Sequence, residues 1–211
     1  MTITTSTTVG TITGASTIVR AAAVDDTDAI SVALAGAFTD DPVFSWCIPD
    51  RSRRERVLPS CFTMFAQAYQ PLGASQVIGP VAGAALWAPP GVQAIGEEDA
   101  EEFANRLVAI VGDDSARIFE VLGLLEEQHP EGACYYLNLI GVAPAHQGSG
   151  LGSVLLAAAL RRCDQQGQPA YLEATSPDNR RLYARHGFEV VTEIVLPGGP
   201  ALWPMWRDPR G

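Results

Sequence analysis

The sequence predicts an α+β domain with a mixed, mostly antiparallel central sheet flanked by helices, and three observations predict it. The chain has 211 residues, of which 47% are hydrophobic and 18% charged, and this supplies enough apolar material for a sizeable core in one domain. A hairpin-like pair of strands lies in the first half of the chain. From residue 134 onward, strands alternate with helices, as in a parallel crossover connection.

The first half of the domain is predicted to run from a strand into two helices and then a hairpin. Thr17–Ala21 has the composition of a short strand, and Asp25 or Asp26 can cap a helix with apolar residues at helical spacing. Four arginines early in the next helix, at positions 51, 53, 54 and 56, are interpreted as a solvated face. The predicted order is the end of the first helix at Asp40-Asp41-Pro42, an apolar loop over Val43–Pro49, a helix over Arg51–Gln70, and hairpin strands Ala74–Ile78 and Ala82–Ala88.

Two more helices and the strand–helix alternation complete the predicted domain. An acidic run that begins at Glu97 suits a helix N-terminus, because negative side chains are stabilised by the positive end of the helix dipole. The predicted elements are helices over Glu97–Val111 and Asp114–Gln128, strand Cys134–Val142, helix Ser149–Gln166, strand Ala170–Ala174, helix Pro177–His186, and strands Phe188–Val195 and Leu202–Trp206.

Composition excludes several classes of protein. All 14 basic residues are arginine, so mechanisms that require lysine, such as Walker A phosphate binding or Schiff-base chemistry, are excluded. The formal net charge of −10 repels nucleic acid and anionic lipid, so neither nucleic acid nor membrane is expected as a partner. No two of the four cysteines form a C-x-x-C pair, and the three histidines do not stand at the spacings that are typical of metal ligands. No metal is therefore expected.

The beginning of the chain differs in composition from the rest. Residues 1–16 are rich in threonine and uncharged, and they are interpreted as a flexible segment that precedes a domain over residues 17–211. This segment lacks the basic and apolar regions of a secretory signal, and eighteen apolar residues nowhere run together. A cytoplasmic protein, either a monomer or a homodimer, is expected.

The segment with the most chemical information is a glycine-rich turn between a strand and an amphipathic helix. Leu137–Leu156 contains this turn, with glycines at 148, 150 and 152. Helix N-termini expose unpaired N–H groups, and glycine lets an anion approach the backbone, so the turn predicts a diphosphate site. A dinucleotide fingerprint fails, because Ser153 and Leu155 stand where its third glycine is needed. Glu173 mimics the ribose contact of that fold and keeps it as an alternative.

Two motifs resemble those of a known superfamily. The pattern Gln147-x-x-Gly150-x-Gly152 after a strand ending Val142-Ala143-Pro144 resembles the acyl-CoA signature of the GCN5-related N-acetyltransferases, the GNAT superfamily. Downstream, Tyr171-Leu172-Glu173-Ala174 and Asn179-x-x-x-Tyr183-x-x-x-Gly187-Phe188 resemble the later motif of the same superfamily. Within it, the layout is most similar to the puromycin N-acetyltransferase-like enzymes. The resemblance implies a GNAT fold whose two parallel central strands part to admit acetyl-CoA as co-substrate.

The resemblance also implies roles for individual residues. Tyr183 is expected to protonate the leaving CoA thiolate, with a packing tyrosine as the alternative, and Asn179 to bind the pantetheine arm, with a helix-start residue as the alternative. Backbone N–H groups near Gly141 are expected to polarise the thioester. The residues expected to hold acetyl-CoA are Ile140, Gly141, Val142, Gln147, Gly148, Ser149, Gly150, Leu151, Gly152, Ser153, Asn179 and Tyr183.

The acceptor side of the reaction requires a base, because amines are largely charged at neutral pH. Strand Cys134–Val142 contains no carboxylate, so Glu173 is the nearest candidate, acting directly or through water; a structural acid at a strand end is the alternative. Asp41, Phe44 and Trp46 are expected to bound the acceptor cleft, although the two aromatics would serve equally as core.

The predicted function is transfer of an acetyl group from acetyl-CoA to the primary amine of a small hydrophobic or aminonucleoside-like molecule, by direct attack in a ternary complex. A non-catalytic sensor that binds acyl-CoA with the same fold is the alternative, since the turn at Gln147 indicates binding rather than turnover.

Overall fold

The computed structural model describes residues 18–211, so the segment 1–16 and Thr17 lie outside the described residues. The strands are β1 (Val19–Ala21), β2 (Gln76–Ile78), β3 (Gly83–Ala88), β4 (Tyr135–Val142), β5 (Ala170–Ala174), β6 (Glu189–Val190), β7 (Ile194–Val195) and β8 (Ala201–Arg207). The helices are α1 (Thr27–Phe38), α2 (Pro42–Cys47), α3 (Arg51–Tyr69), α4 (Glu97–Val111), α5 (Ser115–Glu127), α6 (Leu151–Gln165) and α7 (Pro177–Arg185).

The strands form one mixed sheet in the order β1-β2-β3-β4-β5-β8-β6, with β7 paired to β8. Only the central pair, β4 and β5, is parallel among these neighbours, which confirms the predicted mostly antiparallel arrangement. The parallel pairing ends at Leu137 and Leu172. Beyond it, β4 continues to Val142 beside β3 alone. The two central strands therefore part, as expected.

A β-bulge in β4 lies at the point where the strands part. Leu86 of β3 pairs with Leu139 and Trp87 pairs with Leu137, so Asn138 has no partner on β3. An extra residue in one strand changes which face each later side chain meets. Leu137 and Ile140 accordingly pack on one face of the sheet, whereas Leu139 packs on the other.

Different helices cover the two faces of the sheet. One face carries the larger core, where α1 to α5 bury residues such as Leu34, Phe62 and Leu107. The other face packs against α6 and α7 through Leu156 and Tyr183. Full burial of one such apolar side chain contributes about 1.5–3 kcal/mol. In the part of the chain from residue 18 to residue 211, no helix combines the length and the apolar character needed to cross a membrane.

The predicted loop over Val43–Pro49 is wrong, because Pro42–Cys47 form a helix instead. The Asp41 side chain accepts hydrogen bonds from the backbone N–H groups of Val43 and Phe44, at 2.9 and 3.2 Å. Pro42 occupies the first helical position, where its missing N–H would have had no partner in any case. A capping residue followed by proline thus begins the helix.

The predicted single strand over Phe188–Val195 is also wrong, because it is divided into β6 and β7. Beyond the pair of Val190 and Met205, the Val191 N–H donates to the Pro204 carbonyl at 2.8 Å. Proline has no N–H with which to return a bond, so the ladder is interrupted there.

Arg54 departs from the solvated face predicted for the arginines of α3. Its side chain is buried, and it donates hydrogen bonds to the carbonyls of Thr39 at 2.7 Å and Ile48 at 2.6 Å. These carbonyls lie at the ends of α1 and α2, where no further helical N–H is available. Arg54 therefore holds the connection that contains Asp41.

Candidate active site

Three cavities open where β4 and β5 part. The first, called here the α6 cleft, has a volume of about 840 Å³ and lies between the α1–α2 connection, the end of β4, the turn before α6, and α7. The second, the α4–α5 groove, has about 790 Å³ and lies between those helices and the segment before β4. A smaller central cavity of about 120 Å³ shares lining residues with both.

The turn before α6 presents unpaired backbone donors to the α6 cleft. Gly148 and Gly150 have φ angles of 73° and 82°, in the left-handed region that favours glycine. No side chain caps α6, and in the described part of the chain no acceptor takes hydrogen bonds from the N–H groups of Leu151, Gly152 or Ser153. These donors and the helix dipole suit an anion.

Side chains and close backbone packing fix the position of this turn. The Gln147 amide donates to the Val142 carbonyl at 3.0 Å, and the Ser149 hydroxyl bonds to the His146 carbonyl. A Cβ at Gly141 would lie only 2.8 Å from the Ala37 Cβ. Gly141 therefore allows α1 to pack directly on the end of β4.

The edge of β4 that faces β5 has no strand partner beyond Leu137. Ile140, Gly141 and Val142 line the α6 cleft along this edge. Backbone N–H groups left free in a strand can donate hydrogen bonds to a bound carbonyl or amide. The predicted thioester contacts thus lie in the same cleft as the glycine-rich turn.

Tyr183 of α7 lies between the α6 cleft and the central cavity. Its side chain is buried, and its ring packs edge-on against Phe188 with a centroid distance of 6.1 Å. Within residues 18–211, its hydroxyl makes no hydrogen bond. Burial, together with the negative charges of Asp41 and Glu173, raises the pKa of Tyr183. The hydroxyl therefore stays protonated and can donate a hydrogen bond to a group bound beside it.

A chain of hydrogen bonds joins Asp41 to α7. The Thr175 hydroxyl donates to Asp41 at 2.5 Å, and the Asn179 amide donates to the Thr175 oxygen at 3.2 Å. Burial raises the pKa of the Asp41 carboxyl, and its hydrogen-bond donors partly offset this effect. Asp41 lies on the α6 cleft rather than in the α4–α5 groove. It orients Thr175 and Asn179 beside Tyr183.

Glu173 and Asn138, which line the space that two of the cavities share, each have one buried oxygen without a hydrogen-bond partner among the described residues. One Glu173 oxygen accepts a hydrogen bond from the Tyr136 hydroxyl at 3.0 Å, and the Asn138 amide donates to that hydroxyl at 3.3 Å. The Oε1 atom of Glu173 and the Oδ1 atom of Asn138 are buried without a partner in the described structure. Both residues line the central cavity and the α4–α5 groove. Buried polar atoms usually have partners, so these two atoms indicate a ligand site.

The surroundings of the Glu173 carboxyl raise its pKa toward neutrality. Burial raises its pKa from 4.5 to about 7, and the hydrogen bond from the Tyr136 hydroxyl partly offsets this effect. His129 packs edge-on against both tyrosines, with centroid distances of 5.0 and 5.2 Å. A carboxyl with this pKa exchanges protons readily at physiological pH.

The α4–α5 groove is acidic and aromatic. Glu126, Glu131 and Glu173 line it, and none of its described lining residues is arginine. Three phenylalanines and several aliphatic residues supply its apolar walls; the phenylalanines are Phe65, Phe103 and Phe119. Such a lining favours a cationic group carried on an apolar body.

The structure separates the two aromatics that the sequence places at the acceptor. Phe44 packs against Phe38 and Phe62 and lines the central cavity. Trp46 lines none of these three cavities within the described residues. Its ring instead lies against Gly199 and under the Arg117 guanidinium, 5.4 Å from the ring centroid. The turn of α2 points the two side chains in different directions.

The sequence missed Thr175, Tyr136, Asn138 and His129 as parts of the site. Thr175 follows the end of β5, and a hydroxyl residue at the end of a central parallel strand is the signal that could have identified it. The other three gain their positions from the bulge and from contacts between separate elements.

Comparison with known proteins gives similarity at three levels. Residues 83–188, about half of the chain, match the model of the Acetyltransferase (GNAT) family. An uncharacterized N-acetyltransferase of Schizosaccharomyces pombe is 26% identical over 182 residues, which cover 77% of this chain and 70% of that protein.

Solved structures show the same fold. Histone acetyltransferase HPA2 and related acetyltransferase from Corynebacterium glutamicum superposes with a TM-score of 0.70 at 29% identity, covering 92% of this chain and 96% of that one. Arylalkylamine N-acetyltransferase 2 from Aedes aegypti gives a TM-score of 0.67 at 18% identity, covering 92% and 99%. The matched family model, the parted parallel strands and the glycine-rich turn agree, and this chain belongs to the GNAT family of acetyltransferases.

Proposed function

We propose that this enzyme transfers the acetyl group of acetyl-CoA to the primary amine of a small hydrophobic or aminonucleoside-like molecule, with both substrates bound at once. The observation that carries the proposal is the pair of unpartnered oxygens, Glu173 Oε1 and Asn138 Oδ1, on two residues that line the same central cavity as Tyr183. The two oxygens can accept hydrogen bonds from an amine, and the Tyr183 hydroxyl can donate one to a leaving thiolate.

The α6 cleft fits the donor substrate. The unpaired N–H groups at the beginning of α6 suit the CoA diphosphate, and the free edge of β4 suits the pantetheine amides and the thioester. The backbone donors rather than the side chains favour the diphosphate, because the side chains have mixed charge: Arg185 lines the cleft, and so do Asp40 and Asp178.

The residues divide the chemistry between them. The amine nitrogen attacks the thioester carbonyl, a C–N bond forms and the C–S bond breaks. Glu173 takes the proton that the ammonium group loses before attack, directly or through water. Tyr183 gives a proton to the departing thiolate, and the proton that the nitrogen loses once the C–N bond has formed restores the Tyr183 hydroxyl by way of solvent. Backbone N–H groups near Gly141 stabilise the developing oxyanion. No covalent enzyme intermediate is required.

A panel of amines tests the proposal. Purified protein, acetyl-CoA and each amine are mixed, and the free thiol of CoA is measured as it is released. We expect turnover with small apolar primary amines, because the α4–α5 groove combines glutamates with aromatic walls. Lysine peptides serve as the contrasting substrates. Acetyl-CoA binding without thiol release on any amine would support the sensor, and turnover on lysine peptides alone would contradict the acceptor class.

The diphosphate position is tested by Gly150→Glu. A carboxylate placed among the α6 donors would repel a like-charged diphosphate by about 1–3 kcal/mol, given screening between that of water and a protein surface. We expect the Kd of acetyl-CoA, measured by calorimetry, to rise roughly tenfold to a hundredfold.

Gly167→Glu is the matched control. Gly167 follows α6 at its other end and has a φ of 61°. Among the described residues, nothing beyond its own chain neighbours lies within 4 Å of where a Cβ would stand, as is also true of Gly150. The control therefore adds the same charge and the same backbone strain far from the cleft. Equal affinities in the two variants would show that the diphosphate lies elsewhere.

A further inference from the structure

The central cavity has an apolar branch that belongs to neither of the two larger cavities. Its walls beyond the shared residues come from the helices that cover the larger core, including Val43 and Cys47 of α2, Cys61 of α3, Leu107 of α4 and Val121 of α5. These five side chains are all buried. A space of this kind binds an apolar group, because Glu173 is the one charged side chain among the described residues that line the central cavity, and it lies where that cavity meets the α4–α5 groove.

The branch opens where the acyl group of the donor would lie. Phe38, Ile140, Asn179 and Tyr183 line both the central cavity and the α6 cleft. A thioester held beside Tyr183 therefore has its acyl carbons at the entrance of the branch. The amine has a separate space of about 790 Å³ in the α4–α5 groove, which holds its body without use of the branch.

The size of the branch sets the length of chain that it accepts. The central cavity measures about 120 Å³. A dry cavity of about 150 Å³ lined by similar residues accommodates benzene, and a group of the size of water occupies about 30 Å³. The cavity also holds the reacting groups beside Tyr183 and Glu173, so it accepts at most about four methylene-sized groups beyond the two acetyl carbons, which corresponds to a hexanoyl chain.

We propose that this enzyme uses acyl-CoA donors longer than acetyl-CoA, from butanoyl to hexanoyl, and buries the alkyl chain in the central cavity. The inference rests on the proposed function, since the bonds formed and broken are the same: the C–N bond forms, the C–S bond breaks, and CoA leaves as the thiol. The thiols of Cys47 and Cys61 stay neutral beside the chain, because burial raises the pKa of each to about 12.

A donor series tests the inference. Acetyl-, butanoyl-, hexanoyl- and decanoyl-CoA are compared with one amine, by kcat/KM from thiol release and by the Kd of each donor. We expect kcat/KM to rise by roughly fourfold for each methylene that the cavity buries. We expect kcat/KM to increase up to hexanoyl-CoA and to decrease for decanoyl-CoA, because the decanoyl chain is too long for the cavity.

Variants that fill the branch with a larger side chain provide a second test of the inference. Cys61→Leu and Val121→Met each add side-chain volume at the wall, and two variants protect against failure of either one to fold. We expect each to lower kcat/KM for hexanoyl-CoA by more than tenfold while that for acetyl-CoA stays within about twofold.

Three outcomes would overturn the inference. A wild-type preference for acetyl-CoA over butanoyl-CoA by tenfold or more would show that the branch is closed to the donor. Equal losses on all donors in both variants, with the Tm of each variant unchanged, would show that the alkyl chain does not lie in the branch. A raised amine KM with no change in donor selectivity would place the amine body in the branch. Absence of turnover with every donor and every amine would instead contradict the proposed function itself.

Discussion

We expect Tyr183→Phe to lower kcat by about 10²–10⁴-fold while the Kd of acetyl-CoA stays within about twofold, because the lost hydroxyl acts only when the thiolate leaves. The substitution removes an oxygen that has no hydrogen-bond partner among the described residues, so it leaves no group unpaired. The ring keeps its contact with Phe188. Stability should therefore be unchanged, and steady-state kinetics with calorimetry of donor binding measure the effect.

Tyr135→Phe is the control for this change. Tyr135 is buried on β4, and its hydroxyl donates to Gln166 at 2.8 Å, away from the three cavities. Loss of that bond would cost about 1 kcal/mol of stability and leave kcat unchanged. If Tyr183→Phe retains full turnover, the thiolate departs without this proton, and Tyr183 is a packing residue.

The parts of the fold around the α6 cleft that the sequence predicted correctly depend on neighbours along the chain. A strand, a glycine-rich turn and a helix at Leu137–Leu156 are local features, and the structure forms each of them in that order. The parallel pair β4 and β5 follows from the single crossover helix between them. Most of the α6 cleft could therefore be predicted from the local spacing of residues and from the handedness of crossover connections.

The remaining parts depend on contacts between distant elements. Asp41 and Thr175 are 134 residues apart in sequence, and their hydrogen bond exists only because α2 docks beside the end of β5. The bulge that leaves Asn138 without a partner on β3 comes from a register shift between β3 and β4. The sequence pattern of neither strand predicts that shift. The Glu173–Tyr136 pair likewise forms across 37 residues.

The acceptor site shows most clearly the difference between features set by local sequence and features set by tertiary packing. Aromatics stand beside acids at residues 40–50, which were predicted to bound the acceptor, and also in α4 and α5, which were predicted only as helices. Tertiary packing brings the second segment to Glu173 and turns Trp46 toward Gly199 instead. We infer that α4 and α5, rather than the α1–α2 connection, determine which amine is accepted.

The second large effect is expected for Glu173→Gln. Loss of the base should lower kcat by about 10²–10⁴-fold at pH 8. In the wild type, the pKa of about 7 means that kcat at saturating amine rises with pH up to about 7 and then levels off, because only the ionised carboxylate accepts a proton. The variant should lack this inflection. Rate profiles between pH 5.5 and 9 measure both effects, with Glu126→Gln in the same groove as the control.

A measurement independent of activity shows whether the carboxyl is perturbed as the structure indicates. Burial raises the pKa of Glu173 from 4.5 to about 7, so folding favours its protonated form. The stability that this form contributes is complete below about pH 4.5 and is lost as pH rises through about 7. Glutamine does not ionise, so the Tm of the variant relative to wild type should increase between pH 5 and pH 8. A constant Tm difference together with wild-type kcat would show that Glu173 is an ordinary acid at a strand end.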